Sequence, residues 1–172
     1  MSKTRSTMRL MADQQLSAKV YSDLHWQDLT RTANAGYDDG DDHGALQGYN
    51  AALEEAERLL SVAGGIDTPC NAAVLLVISH HNLAELALAN GQAKLALHHY
   101  QTPFNRLVCL ARLPYTPAAL RQSCGASLKE ATIILAAHLQ TYGAPASIIA
   151  DKINRAKFVA TALSAPAPRA SS

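Results

Sequence analysis

The stretch HHNLAELALANGQAKLALHHY, residues 80–100, decides the fold once it is set against GYDDGDDHGALQGYNAAL, residues 36–53. In the later stretch Gly91 follows Ala84 by seven residues, Ala96 follows Gly91 by five, and Tyr100 follows Ala96 by four. The earlier region repeats this spacing without a gap: Ala33, Gly40, Ala45, Tyr49. Small side chains at these alanines let two antiparallel helices approach closely. The tyrosine fills the space beside them, and the glycine permits a tight turn. The spacing predicts two helical hairpins built alike.

This reading also settles the aspartates Asp38, Asp39, Asp41 and Asp42. A calcium loop of the EF-hand type starting at Asp39 would place His43 at its fifth position and Asn50 at its twelfth, where a bidentate glutamate is required. Acidic groups beside the positive end of the following helix are the simpler arrangement, so the run is expected to be a helix–helix turn.

Working outward, 172 residues suffice for one domain with a proper core. Apolar residues make up 48% of the chain and aromatic residues only 5%, with alanine and leucine dominant, which suits close-packed helices better than a sheet. Periodicity predicts a helix from about Asp13 to Tyr37 through Leu16, Val20, Leu24, Leu29 and Ala33, and another over 44–62. A strongly apolar third helix over 70–89 should lie centrally. A fourth, 92–113, contains Pro103, which is expected to kink or restart it; Thr102 and Pro103 would suit a new start. Two more helices follow, over 118–142 and from Pro145 to about 163. The fold class is all-α, about six helices in stacked antiparallel hairpins. Residues 1–12 read as a flexible N-terminus, 13–163 as a single helical domain, and 164–172 as a disordered tail.

Net charge is +1, but unevenly distributed: ten acidic and two basic residues lie between Tyr21 and Asp67, and nine basic against two acidic from Asn90 onward. The basic residues are dispersed and not interleaved with aromatics, so no nucleic-acid partner is expected. Cys70, Cys109 and Cys124 are widely spaced, no apolar leader opens the chain, and no apolar run approaches the length of a membrane span. A reduced, cytoplasmic protein without a membrane partner is expected.

The segment NLAELALANGQAKLALHHY resembles a tetratricopeptide (TPR) helix pair, and DGDDHGALQGYNAALEEAERLL resembles a second half-repeat, together covering about residues 26–112. The period here is 51 residues, against about 34 in that family, the excess lengthening the second and third helices and their connector. The last two helices would be a third pair or a cap. The resemblance implies a concave groove lined by the first helix of each pair: Gln27, Thr30, Arg31, Asn34 and Tyr37, then Ile78, His81, Asn82, Glu85 and Leu88. Asn34 and Asn82 stand where clamp-type members hold a peptide's C-terminal carboxylate, but Thr30 occupies a clamp lysine's place.

Seven histidines raise a metal reading, yet adjacent residues on a helix diverge by about 100°, so neither His80/His81 nor His98/His99 forms a chelating pair. His81 and Glu85 do share a face, and His138 could join them. Phosphate loops, a nucleophile elbow and paired carboxylates are absent from the sequence. The expectation is a non-catalytic adaptor or chaperone-like module without cofactor, binding another protein or itself. The alternatives are a histidine-based metal-responsive regulator and a homo-oligomeric structural protein.

Overall fold

The computed structural model describes residues 22–63 and 71–165. Among these residues there are six helices and no strand: α1 (Leu24–Asp38), α2 (Asp42–Val62), α3 (Ala72–Ala89), α4 (Ala93–Arg112), α5 (Ala118–Thr141) and α6 (Ala146–Ser164). Each helix packs on its neighbours in sequence, and α3 also touches α5 and α4 touches α6. The result is three antiparallel hairpins in a stack, with α3 in the middle.

The three hairpins close in the same way. Gly40, Gly91 and Gly143 have φ of +78°, +70° and +69° and are the glycines of positive φ among the described residues. After each, the next N–H bonds back five residues: Asp41 to the Gly36 carbonyl, Gln92 to Ala87 and Ala144 to Leu139, at 2.8–2.9 Å. The glycine N–H bonds back three, to Tyr37, Leu88 and Gln140. This is the Schellman closure, which satisfies the last carbonyls of a helix and needs the left-handed conformation that glycine adopts without penalty. The aspartate run is therefore a turn. Asp41 caps α2, accepting from the Gly44 N–H at 2.9 Å, and Asp42 sits in the first turn.

Small residues hold the hairpins tight. Ala33, Ala45, Ala84 and Ala96 are all fully buried, and Tyr49 and Tyr100 nearly so. A Cβ added at Gly48 would stand 2.7 Å from the Ala33 Cβ, so α1 and α2 are in contact through their backbones there. Across the first seam the Trp26 indole N–H donates to Ser79 Oγ at 2.8 Å, a buried bond between α1 and α3.

Some expectations change. The helix expected from Asp13 begins at Leu24 within the described residues, because Ser22 and Asp23 are non-helical. The Leu24 N–H donates to Ser22 Oγ and the Gln27 amide to Asp23 Oδ1, taking up polar groups at the new start. Residues 1–12, Leu16, Val20, Cys70 and the tail beyond residue 165 lie outside the described residues, whereas Ser164, expected in that tail, is the last residue of α6. Pro103 does not restart α4, which runs unbroken through it. Burial of Tyr100, Phe104 and Leu107 on both sides of the proline carries the helix across, and Thr102 Oγ1 donates to the His98 carbonyl at 2.8 Å. Contrary to the expectation for apolar runs, α3 is by length and composition apolar enough to cross a membrane. In the stack 61% of it is buried between neighbouring helices, as in a core helix.

Replacing Gly48 with valine should cost about 1–3 kcal/mol through overpacking against Ala33, and Gly91→Ala about 1 kcal/mol through its positive φ. Urea unfolding measures both; a Gly48→Val protein as stable as the parent would contradict the close approach.

Candidate partner-binding face

Offsetting the chain by 51 residues superposes α1 on α3 and exposes a shared device. The Tyr49 hydroxyl of α2 donates to Asn34 Oδ1 of α1 at 2.9 Å, and the Tyr100 hydroxyl of α4 donates to Glu85 Oε1 of α3 at 2.6 Å. Asn34 and Glu85 are exposed, yet each polar head is held by a tyrosine from the second helix of its hairpin. Burial raises the Tyr100 phenol well above its ordinary value, and the Glu85 bond adds to this. The phenol therefore stays a donor at any physiological pH. The third hairpin has Ala137 and Lys152 at these positions, so the device occurs twice.

Around the second copy the rings form a ladder. His81 lies 5.9 Å from Tyr100, Tyr100 4.7 Å from His138, and His138 4.5 Å from Tyr142, centroid to centroid. His81 Nε2 lies 3.9 Å from Glu85 Oε1. Burial lowers the pKa of His138, with Glu85 opposing the shift. The structure thus brings His81, Glu85 and His138 into one neighbourhood, as the spacing suggested. Among the described residues, no three His, Cys, Asp or Glu side chains are grouped so as to hold a metal ion.

The other positions fall into place unevenly. Tyr37 and Ile78 are exposed at 37% and 36%, large apolar side chains on the outward face of α1 and α3. Gln27, Asn82 and Leu88 are half-buried. Arg31 is exposed and paired with Asp28 at 2.8 Å, so it is a solvated surface pair. Thr30 is buried, and Thr30 Oγ1 and His81 Nδ1, at equivalent positions 51 residues apart, are both buried without a hydrogen-bond partner.

One pair escaped the sequence reading. His80 Nδ1 and His99 Nδ1 lie 3.1 Å apart across the α3–α4 seam. Such a contact holds only if one ring donates and the other accepts, so the two cannot both be charged. Burial, then the neighbouring His99 and His98, push His80 down to about 4, and burial and His98 also lower His99. The first hairpin has Leu29 and Gly48 at the equivalent positions, and that substitution was the available signal.

These features define an all-α protein of stacked helical hairpins, with a polar-aromatic face along the first helix of the first two. The chain belongs to the family described as proteins of unknown function (DUF2753), which matches residues 24–167. No curated protein and no solved structure matches it.

The histidine pair sets a pH dependence. In the unfolded chain His80 takes its proton near 6.5, but in the fold only near 4. The unfolded state thus binds more protons in that window; stability is full above pH 6.5 and is lost as pH falls toward 4, by as much as about 3 kcal/mol. His99 and His138 act in the same direction. Denaturant midpoints measured from pH 7 to 4 should fall, and less steeply in His80→Leu; equal slopes would contradict the assignment.

Proposed function

We propose that the protein is a non-catalytic adaptor that binds a peptide or helix of another protein along the face presented by α1 and α3. The observation carrying this reading is the repeated anchored acceptor. Asn34 Oδ1 and Glu85 Oε1 are each held by a buried tyrosine, and the same helices carry an exposed apolar side chain, Tyr37 one turn on from Asn34 and Ile78 two turns back from Glu85. Anchored polar points next to apolar ones suit a ligand that lays down an apolar stripe and offers N–H donors, with little side-chain entropy left to lose on binding. The TPR-like spacing supports the same face, since the family's partners lie along the first helices of its repeats. A chaperone-like role falls within this reading, and a cytoplasmic setting, expected from the widely spaced cysteines, belongs with it.

Affinity capture with the purified chain from its native cells tests the face. Ile78→Asp and Tyr37→Ala should each reduce recovery of the captured partner by at least about tenfold, each removing an exposed apolar contact of the face. His81→Ala should reduce it less. Unchanged recovery with all three variants would show that the partner uses another surface.

A further inference from the structure

The last hairpin carries a second and separate surface. Between α5 and α6, on the side away from the second hairpin, lies a groove of about 630 Å³ whose walls include Leu128, Ile133, Ile149 and Ile153. Among the described residues, Lys129 on one wall and Lys157 on the other are its charged residues, and no acidic residue lines it.

The repeat register shows what this groove corresponds to. Trp26 of α1 is buried and bonds to α3 through Ser79. Fifty-one residues on, Val77 is buried and, with His81, shares a crevice with Ala131 and Ile134 of α5. In each of the first two hairpins, then, this face is covered by the first helix of the next. A further 52 residues on, the offset between Gly91 and Gly143, the same positions are Lys129, exposed, and Ile133, 54% exposed. The groove is thus shaped by the same packing that receives α3 and α5, and it runs from Gly125 to Gln140, about 22 Å at about 1.5 Å per residue.

We infer that this groove receives an amphipathic helix of a partner protein, about 15 residues long, with acidic side chains flanking its apolar stripe. The two unopposed lysines choose the charge. They also argue against the groove pairing with its own copy, which would set lysine against lysine. On the α1 helix of a second copy the i, i+4 row of Leu24, Asp28 and Thr32 is exposed but carries a single large apolar side chain, Leu24, too little for the stripe, and Tyr37 lies off that row.

A synthetic helical peptide of about 15 residues, leucines at three- and four-residue spacing with glutamates beside them, is titrated against the full chain by fluorescence anisotropy. Its twin carries lysines instead. The glutamate peptide should bind, with an affinity that falls as salt rises, and bind at least about tenfold more weakly to Ile133→Glu and to the double variant Lys129→Glu/Lys157→Glu. Ile133 and both lysines face solvent, and circular dichroism confirms that the variants fold. The lysine peptide should bind more weakly than the glutamate one. Ile78→Asp, on the other face, should leave peptide binding unchanged, which separates this inference from the adaptor reading. No binding by the glutamate peptide, equal binding by both peptides, or loss with Ile78→Asp but not Ile133→Glu overturns it. So does light scattering that shows a dimer abolished by Ile133→Glu, since the groove would then belong to a second copy.

Discussion

Everything in this molecule depends on how its helices reverse direction. Three closures at Gly40, Gly91 and Gly143, nearly equally spaced, use the same pair of backbone bonds and the same left-handed glycine. A helix end closed this way fixes the angle at which the chain returns, and side chains of the returning helix then meet the outgoing one at set positions. That is why Tyr49 meets Asn34 and Tyr100 meets Glu85, each fifteen residues back along the chain. The polar points on the outward face follow from the turn.

The same regularity made part of the fold legible beforehand. Helix periodicity and the alanine–glycine–tyrosine spacing gave six helices with ends within a residue or two of those observed, apart from the first. The features that stayed hidden have physical causes. Pro103 reads locally as a break, but Tyr100, Phe104 and Leu107 are anchored in the core on both sides of it, and tertiary burial overrides a local preference. In the third hairpin Ala136 and Gly143 keep their spacing, while Ile148 and Lys152 stand where the repeat has alanine and tyrosine. Half of the signature is lost, and its kinship with the other two emerges only from the turn geometry.

The candidate face was legible to a similar degree. The positions came from the TPR resemblance, but a resemblance does not say which polar heads are anchored. Asn34 looked like a clamp residue and is a tyrosine's acceptor. Tyr100 looked like a packing residue and is also the donor that orients Glu85. The His80–His99 contact spans nineteen residues between two helices, beyond any reading confined to one helix face. A part-buried pair of this kind tolerates at most one positive charge, so the α3–α4 seam is a place where charge and packing compete.

The chain's single tryptophan, Trp26, sits at the seam between the first two hairpins and donates to Ser79 across it. In a stack whose units touch mainly their neighbours, separation of one unit need not melt the others. Indole emission in this protein is therefore a gauge of whether the first hairpin is docked, blind to the far end of the stack. A spectroscopist following that signal would be watching one joint of the molecule open, not the melting of the whole.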